Sequence, residues 1–464
     1  MDYRGLLHSM ELASSRSDFQ FMSQAQSQLS TFLGRLSGSA FAQNVSWNIL
    51  GSMGGKFLGP VFQVLVARLL LPGDFGVFAI ALAWVAVFEI IKDWGLTHAI
   101  LVRRGGKSEI ALQFTVQIFT ALCFYIITLA ATPIVADLFA QGDLTVVLPL
   151  VGLTVFISAI ADPIVTDYLM AQRYRQLSLR QMTTPIASGI VGLLLAHSGY
   201  GVYSLVFGLL AGHLAGLLSL VAGGHVGIGF LLDFGLMRKL MPVGKHIVLQ
   251  RLFGFLVGQA DSFIVGRALG SQALGLYRMG NTLAFLLPAA SVAQTQQVVF
   301  TEQSAKRDIE QMRTRYNQFT NIAGLALLLY SVAAYFSAPL LVPLLLGEQW
   351  REAIPLMQIF AAVVITGFLT PLNLDFAKVL GFFHVYTHFA LWRSVATVIA
   401  LLWASQFSAM HVVITWVVVG FVSNLVNDAI FYMKQKIVPL TGTKIALTCA
   451  SWVWGAIVVV EALV

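Results

Sequence analysis

Four basic side chains stand inside long apolar runs. Lys56 lies mid-run in NILGSMGGKFLGPVFQVLV (48–66), Arg251 is several residues into the run that starts near 244, Arg393 is within 385–407, and Arg278 lies toward the end of its own run. A charge at a bilayer centre costs about 2.5–3.5 kcal/mol on insertion scales, so such residues need a partner or a wet cavity. A guanidinium offers a bidentate fork and an ammonium a mobile point charge, and both suit an anionic group. The ordinary alternative is pairing with buried acids or snorkelling to an interface. Of the acids in or beside these runs, Asp261 and Asp162 lie deepest. They are the candidates for relaying a proton or sodium ion, or for neutralising an intramembrane base. Glu89, Lys92 and Asp93 are three and four residues apart, a spacing that pairs them on one helix face as a solvated gate or anchor.

Other patterns carry less chemistry. GGKS (105–108) has Leu101 where a phosphate-binding loop needs its first glycine. His384 and His388 share a helix face, but no Glu follows the first as a zinc-protease motif requires. Gly51, Gly55 and Gly59, then Gly208, Gly212 and Gly216, recur every four residues and read as close helix packing. No group suggests covalent chemistry, so no catalytic residue, metal ligand or cofactor is assigned and the chain is not read as an enzyme.

The elements that position these residues follow from composition. The chain has 464 residues, 58% apolar and 11% charged, with mean hydropathy +0.81. Soluble domains are about 45–50% apolar and about 25% charged, which excludes soluble enzymes and nucleic-acid-binding modules. The two cysteines, Cys123 and Cys449, lie in apolar runs and build neither a disulfide framework nor a metal site. Runs such as VLPLVGLTVFISAI (147–160) are continuous rather than alternating and read as spanning helices.

Residues 1–44 form a polar tail in which Met22, Ala25, Leu29, Phe32, Leu33 and Leu36 have the spacing of an amphipathic surface helix. Spans are expected near 46–69, 75–95, 113–135, 144–168, 181–197 and 200–222, then 244–267, 273–299, 319–345, 353–375, 385–407 and 411–433, with a further helix at 445–464. The fold expected is all-α and polytopic: an N-lobe over 45–223, a C-lobe over 224–435, and an additional helix in 436–464. Arg103, Arg104, Lys107, Arg173, Arg175, Arg180, Arg238, Lys239 and Lys306 fall in alternate loops, while ADLFAQGD (136–143) and HSGYG (197–201) carry no Lys or Arg. That asymmetry puts the amino terminus in the cytoplasm and makes the +7 charge a topology signal rather than a nucleic-acid footprint.

An internal repeat ties the halves together. VLVARLLLPGDFGVF (64–78) aligns without gaps on FIVGRALGSQALGLY (263–277), matching Arg68 to Arg267 and Gly76 to Gly275 where the first span of each group turns into the second. Both copies start on the same side, so the repeat is parallel. Repeated halves in transporters place the substrate between them near mid-membrane.

The stretch ARLLLPGDFGVFAIA (67–81), the six-plus-six layout and the basic loops resemble the polysaccharide-transport flippases of the multidrug/oligosaccharidyl-lipid/polysaccharide (MOP) superfamily, the Wzx-type exporters, over residues 44–435. The resemblance implies two lobes around a central cavity and a cargo of oligosaccharide on an undecaprenyl diphosphate carrier. For such a cargo, the intramembrane charges lead to the expectation that Lys56, Arg251 and Arg393 line the cavity and hold the diphosphate, with Arg278 near its outer mouth. Partners implied are membrane lipids, a polysaccharide polymerase and glycosyltransferases in a bacterial inner membrane. A multidrug or cation antiporter of the same architecture and a non-transporting scaffold stay open as alternatives; the first span carries Lys56 and no acid, which suits an anionic cargo.

Overall fold

The computed structural model describes residues 40–224, 229–304, 309–364 and 383–435, with Trp454 and Val458. Every regular element among them is helical. In lipid only a helix or a closed barrel satisfies its own backbone, and the apolar runs here have helix length. The first half builds α1 (Ala40–Ala67), α2 (Pro72–Lys92), the short α3 (Leu96–Arg103), α4 (Lys107–Phe139), α5 (Leu144–Met170), α6 (Tyr174–His197) and α7 (Val202–Ala222). The second half builds α8 (Phe234–Ser304), α9 (Ile309–Leu346), a single 3-10 turn (Glu348–Trp350), α10 (Ala353–Ala362), α11 (Phe383–Ala404) and α12 (Ala409–Gln435). The tail helix over Met22–Leu36 lies outside the described residues, as do Lys306, Cys449 and most of the final span. Of that span, Trp454 donates to Ser331 Oγ at 3.1 Å and Val458 is buried.

Local chemistry sets the breaks. Asp74 accepts from the Leu71 N–H at 3.1 Å and starts α2 beside Pro72, where a missing N–H costs nothing. Glu109 does the same for Gly106 at α4, so GGKS is an ordinary helix start. Trp94 and Gly95, both at positive φ, separate α2 from α3. Helix therefore resumes past the expected end at 95 and runs to Arg103. Gly270, at φ 85° and ψ 174°, breaks α8 into two arms where the repeat predicts a turn. The first arm begins at Phe234, ten residues before the expected 244, because Leu236, Met237 and Leu240 pack on Leu96, Ala99 and Ile100.

These helices form two six-helix lobes, α1–α7 with α2 and the short α3 as one span, and α8–α12 with the two arms of α8 as separate spans. The repeat sits at their junction, where Phe75, Val77 and Ile80 of α2 share a core with Val265, Leu274 and Tyr277 of α8 and with Trp350 and Phe360. Among the described residues, five segments are long and apolar enough to cross a membrane on composition alone: Pro72–Arg103, Lys107–Phe139, Leu144–Met170, Val202–Ala222 and Thr320–Leu346. In α6 the polar residues Arg180, Gln181, Thr184 and Ser188 line a cavity.

The lobes meet at both ends of the bundle. At the end away from the basic loops, Trp350 is fully buried, edge-on to Phe75 at 5.4 Å, and donates its indole N–H to Ala67 O at 2.9 Å. Arg68 donates to Leu344 O at 2.9 Å, and Gln349 returns a bond to Arg68 O at 3.0 Å. Each helix end thus has carbonyls capped by a side chain of the other lobe. At the basic-loop end, Gly95 packs backbone to backbone on Gly244.

Candidate functional site

A polar cavity of about 520 Å³ opens inside the N-lobe where α1, α6 and α7 meet. Small residues bring these helices together. A methyl on Gly51 would overlap Ser178, one on Gly55 the Gln181 carbonyl, and ones on Gly208 and Gly212 the carbonyls of Ser188 and Thr184. The four-residue glycine pattern is therefore packing, with one exception. Gly59 has nothing within 4 Å of where its Cβ would be; it makes room in the cavity instead.

Three ionisable side chains line the cavity: Lys56 from α1, Arg180 from α6 and His213 from α7, and no carboxylate is among the lining residues. His213 Nδ1 sits 3.0 Å from Leu209 O. Facing a carbonyl, that nitrogen carries the proton, which leaves Nε2 as the ring's other polar atom. Thr184 bonds back to Arg180 O at 2.9 Å and helps fix the local backbone.

Behind this wall lies a buried ion cluster. Lys92 is 0% exposed, with Nζ 2.8 Å from Glu89, 3.1 Å from Asp162 and 2.6 Å from Ser158 Oγ. Arg180 and His213 lie within electrostatic reach of Glu89. One lysine is thus shared by two carboxylates, and Lys56 and Arg180 face the cavity beyond it. The expected solvated gate of Glu89, Lys92 and Asp93 is corrected here. Lys92 and Glu89 turn into the N-lobe, whereas Asp93, beyond the last turn of α2, faces the other lobe. Asp162, a candidate coupling acid, is paired here with Lys92.

The other predicted residues are not gathered around Lys56. Arg251 Nη1 is 3.5 Å from Asp93 Oδ2, and Nη2 is 3.4 Å from His98 Nδ1, at the basic-loop end of the lobe interface. Arg278, on the second arm of α8, bonds Gln259. Arg393 is half-buried on α11, where its carbonyl accepts from Thr397 at 2.7 Å. Hydropathy gives the depth of a residue and not its azimuth, and these three sit on other elements of the bundle. The loop-charge pattern groups Arg180 with the basic loops, but helix α6 starts six residues earlier, at Tyr174, and carries it inward. A signal was present in the sequence: Arg180 precedes Gln181, Thr184 and Ser188, a polar stripe at helical spacing. Asp261 is buried between the arms of α8, accepting from Tyr277 OH and the Ser262 N–H, each at 2.7 Å.

The repeat residues hold the lobe junction. Gly76 packs on the carbonyl of Ser271, and Gly275 on that of Pro72. Arg68 caps α9 as described, and Arg267 is exposed. Among the described residues no cluster of three metal-ligating side chains occurs.

Two repeat-related six-helix lobes with a polar interior define a multi-pass membrane protein of the MOP transporter fold. Solved structures agree. The fold is similar to the lipid II flippase MurJ in its inward closed conformation, with a TM-score of 0.72 at 11% identity over 89% of this chain and 98% of that one. It is also similar to an inward-facing multidrug resistance MATE family transporter, with a TM-score of 0.54 at 15% identity over 88% and 96% of the two chains. More specifically, residues 65–355 match the family described as polysaccharide biosynthesis protein, and the chain belongs to that family. It is 24% identical over 362 residues to the succinoglycan biosynthesis transport protein ExoT of Rhizobium meliloti (strain 1021), covering 76% of this chain and 72% of that one. It is 18% identical over 328 residues to the lipopolysaccharide biosynthesis protein WzxC of Escherichia coli (strain K12), covering 68% and 65%.

Proposed function

We propose that this chain is a flippase that carries an oligosaccharide linked to undecaprenyl diphosphate from the cytoplasmic to the outer leaflet of a bacterial inner membrane. The observation that carries this reading is the N-lobe cavity, walled by Lys56 and Arg180 with no carboxylate in its lining. A fork donor and a point-charge donor on neighbouring helices fit the oxygens of a diphosphate. A multidrug cation would meet two like charges there. Relatives named for succinoglycan and lipopolysaccharide biosynthesis, together with the lipid II flippase fold, support the same cargo class.

In this reading the diphosphate docks between Lys56 and Arg180, the sugars occupy the space between the lobes, and the prenyl chain stays in the bilayer. The basic loops face the cytoplasm and the Trp350 seal faces outward. The lobes alternate between states open to either side, and cargo drives the change only by binding those states differently. Of the residues expected from sequence, Lys56 keeps the diphosphate role and gains Arg180 as its companion. Asp261 keeps its candidacy for ion coupling.

The test is flipping in proteoliposomes of a fluorescent oligosaccharide on undecaprenyl diphosphate, with a membrane-impermeant quencher reporting leaflet exchange. Exchange well above protein-free vesicles, lost in Lys56→Glu and Arg180→Glu, is expected. Exchange equal to protein-free vesicles, or unaffected by both reversals, overturns the reading.

A further inference from the structure

Arg251 was expected in the cavity and is found at a door. Its partner, Asp93, is only 4% exposed, yet its two carboxylate oxygens are treated differently. Oδ1 accepts from the Thr97 N–H at 3.2 Å, the Thr97 hydroxyl at 2.6 Å and the Gln117 amide at 2.9 Å. Among the described residues Oδ2 is buried without a hydrogen bond and has the guanidinium of Arg251 as its ion-pair partner. Three hydrogen bonds from its own lobe therefore hold the Asp93 carboxylate in place whether or not Arg251 is there.

Arg251 is the looser member. Its side chain is 41% exposed, and it stands 3.5 Å from Asp93, longer than the roughly 2.7–2.9 Å of a good charge-assisted bond. Its second contact, 3.4 Å to His98, is long as well. A guanidinium held this way is open to a better acceptor, and a diphosphate offers bidentate geometry. The pair also bridges the lobes, since Asp93 follows α2 and Arg251 is on the first arm of α8, close to the contact of Gly95 with Gly244.

We propose that Asp93 and Arg251 form a latch displaced by cargo: a diphosphate headgroup arriving at the basic-loop end takes Arg251 from Asp93 and frees the lobes to part at that end. The proposal rests on the diphosphate reading above and adds to it a residue that senses the headgroup before it reaches Lys56 and Arg180. It also accounts for sidedness. The opposite end is closed by a wholly buried Trp350 that donates to a backbone carbonyl, which an arriving anion does not reach. Cargo therefore opens the end at which it arrives.

The experiment uses the full chain in nanodiscs with Cys123→Ser and Cys449→Ser, and spin labels at Ala171→Cys and Gln318→Cys, exposed positions in the two lobes near the basic-loop end. Interlobe distances are read by pulsed electron resonance. Without ligand, Arg251→Gln and Asp93→Asn are expected to raise the open-to-closed ratio by about tenfold, and Arg251→Lys to restore most of the closed population. Inorganic pyrophosphate is expected to open the unsubstituted chain and to leave Arg251→Gln unchanged. Labels across the opposite end, at Tyr200→Cys and Glu352→Cys, are expected not to move. The latch is overturned if Arg251→Gln and Asp93→Asn keep the closed distribution, or if pyrophosphate opens Arg251→Gln as fully as the unsubstituted chain. Calorimetry on the same samples separates the two readings. Pyrophosphate that binds without opening overturns the latch alone; pyrophosphate that does not bind overturns the diphosphate reading and the latch with it.

Discussion

Gly76 and Gly275 are repeat partners 199 residues apart, and each rests on the residue that begins the other's helix. Gly76 meets the carbonyl of Ser271 while Gly275 meets the carbonyl of Pro72, and Pro72 and Ser271 are themselves matched by the repeat. The reciprocity marks the pseudo-two-fold axis at the end of the bundle away from the basic loops. It also gives both glycines one physical reason: a backbone carbonyl occupies the space of a side chain.

A methyl at either site therefore meets backbone, which cannot rotate aside as a side chain would. Gly76→Ala and Gly275→Ala are each expected to disfavour closure of that end by about 1–3 kcal/mol. The check is the distance between spin labels at Tyr200→Cys and Glu352→Cys, which should lengthen similarly in both variants. An effect of one without the other would break the symmetry argument.

Trp350 makes the same seal in another way, and its two contributions separate. Trp350→Phe keeps most of the ring against Phe75 but removes the bond to Ala67 O, so a loss of about 0.5–1.5 kcal/mol is expected. Trp350→Ala also empties a fully buried site and should cost about 3–5 kcal/mol. Denaturant unfolding of the detergent-solubilised chain reads both. Equal losses would mean that the ring's packing contributes little.

Much of the architecture was legible because a membrane span is a one-dimensional signal. The apolar runs and the repeat at Arg68–Gly76 and Arg267–Gly275 set the helices, the turn at Gly270 and the two lobes. The site was legible only in part. Lys56 was found because a lone lysine in an apolar run stands out. Arg180 was lost among the loop arginines, since α6 begins at Tyr174 rather than at 181. Lys92 was seen beside Glu89 and Asp93, but i, i+3 and i, i+4 spacing cannot tell a wet helix face from a dry one. What decided it was Asp162, 70 residues away in sequence and 3.1 Å away in space. Arg251 was placed at a plausible depth, and its partner across the lobe interface has no sequence signature.

The Lys92 cluster makes a prediction that separates folding from transport. Removing its one ammonium strands Glu89 and Asp162 in a partly buried site, and breaking a buried pair from one side typically costs about 3–5 kcal/mol. Lys92→Met alone should therefore fail to accumulate or should melt well below the unsubstituted chain. Adding Glu89→Gln and Asp162→Asn to Lys92→Met removes the uncompensated charge and should recover most of the stability. Melting temperature in detergent is the readout. A triple variant no more stable than Lys92→Met would show that the cluster is needed for geometry rather than for charge balance.

The cavity cations carry the last prediction, which depends on charge more than on shape. Lys56 points into open space and Gly59, one turn on, leaves room beside it, so Lys56→Gln removes charge without leaving a packing defect. Arg180 is more deeply set and sits near Asp162 and Glu89, so Arg180→Gln should lower stability somewhat as well as binding. Each single variant is expected to weaken pyrophosphate binding by about tenfold, the scale of one charge-assisted contact of about 1.4 kcal/mol. Lys56→Arg should retain binding, since a cation remains on α1 facing the same cavity. Binding should also fall steeply with added salt in the unsubstituted chain and less steeply in each variant, because fewer charges are left to screen. Isothermal calorimetry across a salt series measures affinity and slope together. Unchanged affinity in both glutamine variants would place the anion elsewhere, and an unchanged salt slope with lost affinity would point to a structural role instead.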